Sequence, residues 1–165
     1  MSQTSPTLHM MCGKIASGKS TLASRLAETD RAIIISEDEW LYTLFSDQMS
    51  SPKDYVRCSA KLRKAMKSHI ARLLESGVSV VLDFQANTVE ARNWLRTIID
   101  DTGAYHQLHV LNVPDEICLQ RLHERNASGE HPFAVSDEQY HQISRHFSPP
   151  SADENFNLVE YDENG

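Results

Sequence analysis

Nine consecutive residues, Gly13-Lys14-Ile15-Ala16-Ser17-Gly18-Lys19-Ser20-Thr21, constrain this chain more than anything else in it. They fit Gly-x4-Gly-Lys-[Ser/Thr], a loop whose purpose is to hold phosphate. Its glycines let the backbone turn tightly, so that successive N–H groups point at one anion. The helix that follows offers its N-terminal donors and the positive end of its dipole to the same anion. Lys19 is placed to reach β- and γ-phosphates, and the Ser20 hydroxyl to ligate Mg²⁺. The flanks agree with this reading. Leu8-His9-Met10-Met11-Cys12 is an apolar run of strand length, and Thr21 to Ala27 continues as a helix with Leu22 and Leu26 on one face. A strand–loop–helix unit is the context the motif requires.

At 165 residues and 40% hydrophobic composition the chain suits one domain, residues 1–165, with a real core. A formal charge of −7 argues against a general nucleic-acid coat protein. There is no apolar run of membrane-spanning length and no secretory pattern at the start. Cys12, Cys58 and Cys118 are odd in number and widely spaced, as expected of reduced thiols in a cytoplasmic protein. His141/His146 and His106/His109 have spacings that put each pair on different faces, so neither forms a metal signature.

Beyond the loop, strands and helices alternate. Ala32 to Ser36 is a continuous apolar run, the pattern of a strand covered on both faces. Ser51-Pro52-Lys53-Asp54 announces a helix that Gly77 closes. Val78 to Leu82 is a further strand ending in Asp83, and Asn87-Thr88-Val89-Glu90 is a capping-box-like start, with Asn87 first, for a helix running to about Asp100. Tyr105 to Val113 reads as a strand, and Pro114-Asp115-Glu116 opens a helix carrying Arg121 and Arg125. Asn126 to Val135 is polar, hence a mobile loop, before a helix capped at Ser136; Phe156 to Tyr161 closes the chain as a short strand. This alternation predicts an α/β fold of three layers, with about five parallel strands between helices. Ligands then belong beyond the carboxyl ends of the strands, where Gly13, Ser36–Glu39 and Asp83 all fall.

Several residues on that rim can carry chemistry. Asp38 is a candidate to orient an acceptor hydroxyl and take its proton, with Glu37 and Glu39 as adjacent rivals; alternatively Ser36 or Asp38 caps the next helix. Asp83 has the pattern of a strand-end acid that serves Mg²⁺ or contacts the acceptor; an Asx turn is the plainer alternative. Arg121 and Arg125, four apart, share a helix face before a loop that can close as a lid over roughly residues 121–136. They would neutralise a transferring phosphoryl, or else pair with Glu116 or Glu124 in solvent. Arg92 and Arg96 form a second such pair, read as a solvated face in preference to an anion site. The base-rich helix holding Lys53, Arg57, Lys61, Arg63, Lys64, Lys67 and Arg72 is likewise read as a solvated face, with a nucleic-acid patch less favoured.

The P-loop, Val80-Val81-Leu82-Asp83-Phe84-Gln85-Ala86-Asn87-Thr88, Val113-Pro114-Asp115-Glu116, Arg121-Leu122 and Arg125 to Phe133 together resemble small bacterial P-loop ATP-binding proteins. These are related to the zeta-toxin, chloramphenicol phosphotransferase and polynucleotide kinase families. The resemblance implies a nucleoside-monophosphate-kinase-like fold with strand order 2-3-1-4-5. It implies ATP and Mg²⁺ held by Gly13 to Thr21, Lys19 and Ser20 foremost. Asp38 would act towards the acceptor hydroxyl, and Arg121 and Arg125 would be lid arginines. Three activities then stand open: transfer of the γ-phosphoryl of ATP to a small-molecule hydroxyl; an ATP-dependent switch acting with a protein partner; and a kinase of a nucleotide, nucleotide sugar or nucleic-acid end. The first is favoured. The nucleotide base is expected between the Arg121 helix and Ser148–Glu154.

Overall fold

In a computed structural model, residues 5–129 and 134–165 are described. The lid residues Glu130 to Phe133 lie outside them. Five strands alternate with six α-helices: β1 (Thr7–Cys12), α1 (Lys19–Asp30), β2 (Ile33–Ser36), α2 (Glu37–Phe45), α3 (Pro52–Glu75), β3 (Val80–Gln85), α4 (Val89–Thr102), β4 (Tyr105–Leu111), α5 (Asp115–Ser128), α6 (Asp137–Ser144) and β5 (Leu158–Tyr161). The strands are all parallel, as the alternation predicts, and ordered β2-β3-β1-β4-β5, as the resemblance implies.

Parallel strands need helical crossovers, which cover both faces of the sheet, so strand interiors are apolar on both sides. Leu8, Met10, Leu82 and Val110 pack with α3 and α4 through Leu62, Met66, Ile70, Leu95 and Ile98. Met11, Val81 and Leu111 face α1, α5 and α6 through Leu22, Cys118, Leu122 and Tyr140. All three cysteines are free and buried. Among the described residues no helix is long and apolar enough to cross a membrane.

Local signals account for the helix starts. Ser51 Oγ accepts from Asp54 N–H with Pro52 in the first turn, and Ser136 and Gln139 form a reciprocal capping box. Three expectations need correction. β2 is a sheet edge rather than a strand covered on both faces, and leaves Ile33 and Ile34 exposed. The cap of α4 is Thr88, one residue later than Asn87, which frees Asn87 for another task. Arg92 and Arg96 are neither solvated nor free to hold an anion. Arg92 is fully buried and donates to Glu154 Oε1 at 2.7 Å, Ser148 O at 2.7 Å and Ala86 O at 2.9 Å. Arg96 donates to Glu154 O at 2.6 Å and lies over the Phe156 ring. Both arginines fasten Ser148–Glu154 against α4, because that segment exposes carbonyls that no strand or helix pairs.

Candidate functional site

β1 ends at Cys12 and the chain turns into the loop over Gly13 to Gly18 before α1 begins at Lys19. Two backbone features make the turn. Gly18 has φ of +104°, in the region L side chains rarely enter, and Ala16 has φ of +61°. Gly13 is packed so closely that a Cβ there would sit 2.5 Å from Ser17 Oγ. Lys19 Nζ lies along the loop and donates to Gly13 O at 2.7 Å and Lys14 O at 2.9 Å. Burial lowers the pKa of its ammonium, while the carboxylates of Asp83 and Asp38 act in the opposite direction.

Asp83 sits where the pairing between β1 and β3 shifts, with Met10 opposite Leu82 but Met11 opposite Gln85. That irregularity lies beside the loop, a position in which a bulge re-aims a side chain. Ser20 Oγ donates to Asp83 Oδ2 at 2.7 Å. Hydroxyl and carboxylate oxygens paired at the edge of a phosphate loop are the hard donors that Mg²⁺ takes alongside phosphate oxygens. Among the described residues no cluster of three or more His, Cys, Asp and Glu is placed to hold a metal by itself. The donor set therefore suits an ion brought with a nucleotide.

The three neighbouring acids at the end of β2 go to different places. Glu37 is buried, receives Arg63 Nε at 3.0 Å and Tyr55 Oη at 3.3 Å, and so ties α2 to α3. Burial raises its pKa, and the Arg63 guanidinium opposes that. Arg63 in turn lies over the rings of Trp94 and Phe84, so this member of the basic helix is not solvated. Glu39 is exposed and supplies the N–H that Ser36 caps. Asp38 faces a cavity of about 820 Å³ that also receives Lys19, Ser20, Asp83, Arg121 and Arg125.

Arg121 donates to Ser17 O at 3.2 Å and Glu163 O at 3.0 Å, so it pairs with neither Glu116 nor Glu124. Ser148–Glu154 is held on α4, and Arg121 meets the chain just past β5. Arg125 lines the cavity with its Nε buried and without a hydrogen-bond partner. Burial lowers its pKa and Asp38 opposes this.

Two contributions escape the motif search. Asn87 clamps the backbone of Gly13: its Oδ1 accepts from Gly13 N–H at 2.8 Å, and its Nδ2 donates to Gly13 O at 2.7 Å. Its position on the β3 rim, shared with the loop, is the available signal. The other is α6. Tyr140 points into the core, while Gln139, Gln142 and Ile143, with His146 in the turn just past the helix, line the cavity. Their i, i+3, i+4, i+7 spacing marks one helix face in the sequence.

Residues 8–150 match the profile of a family described as AAA domain. A search of curated proteins returned no sequence match. Among solved structures the chain is similar to a candidate kinase from Chloroflexus aurantiacus, with 21% identity over 96% of this chain and 85% of that one and a TM-score of 0.77. It is also similar to Kti12 of Chaetomium thermophilum in complex with ADP-AlF3, with 14% identity, 95% and 89% coverage and a TM-score of 0.71. A third similarity is to APS kinase of Mycobacterium tuberculosis in complex with AMPPNP and APS, with 20% identity, 95% and 88% coverage and a TM-score of 0.63. At these identities the likeness is one of fold, and that fold is the P-loop kinase fold.

Proposed function

The chain belongs to the AAA domain family of P-loop proteins, and from that premise we propose that it is a kinase moving the γ-phosphoryl of ATP to a hydroxyl on a small molecule. The observation that carries this reading is Asp38, a carboxylate facing the same cavity as the loop lysine and two arginines. A pure ATPase would need no acceptor pocket beside its phosphate site.

In the transfer, the acceptor oxygen bonds to the γ-phosphorus as the β–γ bridging bond breaks, ADP leaves with that electron pair, and the hydroxyl proton passes to Asp38. Gly13 to Thr21 supplies the phosphate cradle, with Asn87 fixing its first peptide. Lys19, Arg121 and Arg125 offset the charge on the moving phosphoryl. Ser20 and Asp83 would hold Mg²⁺, which would neutralise part of the phosphate charge. Asp38 is assigned the acceptor side because Glu37 is engaged by Arg63 and Tyr55 and Glu39 lies outside the cavity.

The test incubates the protein with γ-labelled ATP and a small-molecule extract and isolates labelled product, with Lys19→Ala as control. A labelled metabolite lost in the variant supports the proposal. Phosphate release with no labelled metabolite, accelerated by a partner protein, would replace it with a nucleotide-dependent switch.

A further inference from the structure

One carboxylate joins the phosphate loop to α6. Asp115, in the first turn of α5, accepts on Oδ1 from Lys14 Nζ at 2.9 Å and from Tyr140 Oη at 2.7 Å. An acid at a helix N-terminus is favoured by the dipole alone. What sets Asp115 apart is the origin of its donors, one from the loop and one from α6. Hydrogen bonds from Lys14 and Tyr140 hold its carboxyl below the usual carboxylate range, so it receives both as an anion. The Lys14 ammonium also lies over the ring of Phe147, in the chain just past α6. The carbonyl of Lys14 accepts from Lys19 Nζ at 2.9 Å and from Ser17 N–H at 3.1 Å. One residue therefore shapes the cradle with its backbone and grips Asp115 with its side chain.

The link matters because α6 is weakly attached. It has eight residues, too few for a helix to hold itself in water. Among the described residues of α6, Tyr140 alone is buried, while Gln139, Gln142 and Ile143 line the cavity. The entry to α6 is tied to α5 by Asn126 Nδ2, which donates to Val135 O at 2.7 Å, and by His123 paired with Asp137. Both of those ties run to α5 and not to the loop. A short helix with one buried anchor belongs to the low-stability end of a structure, where local opening answers to small changes in free energy. Phosphates that order the loop backbone restrict Lys14, and through its ion pair they restrict Asp115 and the Tyr140 hydroxyl. Resting on the nucleotide site of the phosphotransferase reading, we infer that Asp115 is a positioning residue that couples occupancy of the phosphate loop to the seating of α6. Binding of Mg-ATP then firms the cavity wall that Gln139, Gln142 and Ile143 supply. By linkage, a ligand that favours the seated α6 tightens nucleotide binding by the same factor.

Hydrogen–deuterium exchange of the full chain, with and without saturating Mg-AMPPNP, reads the loop and α6 together. In the unaltered chain the nucleotide is expected to slow exchange in the loop and, by at least ~5-fold, in α6. Lys14→Met cuts the loop arm and leaves Tyr140 on Asp115. Without nucleotide its α6 should exchange as before; with nucleotide the loop should still be protected and the α6 response lost. A merely structural bridge would instead speed α6 exchange in both states. Tyr140→Phe cuts the other arm, keeps the ring in the core and should also lose the response. Asp115→Asn leaves the loop residues native and an oxygen for Tyr140, so it reads the same arm if Lys14→Met fails to bind nucleotide; its α6 response should fall. A full α6 response in nucleotide-bound variants overturns the inference, because the protection then comes from contact across the cavity. An α6 that ignores bound nucleotide in the unaltered chain overturns it too. Both results leave the phosphotransferase reading standing. Failure of the unaltered chain to bind Mg-AMPPNP overturns that reading, and the inference falls with it.

Discussion

Asn87→Ala tests whether the phosphate loop is held in shape by one side chain. The substitution removes two hydrogen bonds, at 2.8 and 2.7 Å, from the two peptide groups that flank Gly13. Gly13 O keeps its bond from Lys19 Nζ, so losing Nδ2 removes one ordinary bond, about 0.5–1.5 kcal/mol. Gly13 N–H loses its acceptor at a buried position, which costs about 1–3 kcal/mol. Together the change is about 1.5–4.5 kcal/mol, and for a chain of this length a melting shift on the order of 10 °C. Urea unfolding and thermal circular dichroism measure it. Asn87→Leu keeps most of the volume and deletes both bonds, so it should fall close to the alanine variant. The clamp also preorganises the cradle, and Mg-AMPPNP affinity should drop by ~10-fold or more, equivalent to about 1.4 kcal/mol. A stability change below about 0.5 kcal/mol in both variants refutes the reasoning, because a peptide in such contact with solvent would not need its clamp. Full loss of stability with unchanged affinity would keep the clamp as a support of the fold and reject it as a support of the cradle.

Lys19→Ala should abolish phosphoryl transfer with an unchanged circular dichroism spectrum, and Asp38→Asn should lower kcat far more than nucleotide affinity; equal stability and equal kcat for the asparagine variant would remove Asp38 from the chemistry. Arg92→Ala leaves Glu154 without its buried partner and should cost about 3–5 kcal/mol in urea unfolding, whereas a near-neutral result would mean that Ser148–Glu154 is held by other contacts. Acid should also destabilise the fold. His109 is buried, hydrogen-bonded to His9 and Tyr161, and held down to a pKa of about 4 by burial and by the charge of His9, with Asp30 opposing. The unfolded chain binds a proton near pH 6.5 and the folded one does not, so stability should fall as the pH drops from about 6.5 towards 4, by about 3 kcal/mol in all. His109→Gln should flatten that slope, and an unchanged slope would place the titration elsewhere.

Loop position and the alternation of parallel strands with helices were legible because each rests on a local signal with few physical solutions, whereas the strand order came from the family resemblance. A phosphate loop demands a strand before it and a helix after it, and right-handed crossovers leave few ways to add further parallel strands. What was misjudged turns on tertiary position. Three isoleucines in β2 read as a strand covered on both faces, yet hydrophobic pattern alone does not tell an edge strand from a central one. Arg92 and Arg96 have the spacing of a solvated helix face, and their burial became legible only once Ser148–Glu154 was seen to bring unpaired carbonyls and Glu154 against α4. Asn87 shows the same limit at the site itself: local chemistry made it a helix cap, but Thr88 fills that role as well, and the Gly13 peptide claims the better-placed amide.

The adjacent acids Glu37, Asp38 and Glu39 carry this one step further. Sequence offered three interchangeable carboxylates, and the fold distinguishes them by what faces each one. α2 begins at Glu37, so successive side chains leave the helix about 100° apart. One turns inward to Arg63 and Tyr55, one to solvent, and only Asp38 meets the cavity without that buried ion pair. The ion pair therefore does more than hold α2 on α3. By engaging Glu37 it fixes the rotation of the helix, and that rotation sets which acid faces the phosphates. Breaking the pair with Arg63→Met should thus lower transfer even though Arg63 does not line the cavity. The loss should appear in kcat, with nucleotide affinity little changed, because the donor side is built on other strands. An Arg63→Met variant that folds and keeps its kcat would show that the helix is set by its packing alone, and that Asp38 needs no neighbour to place it.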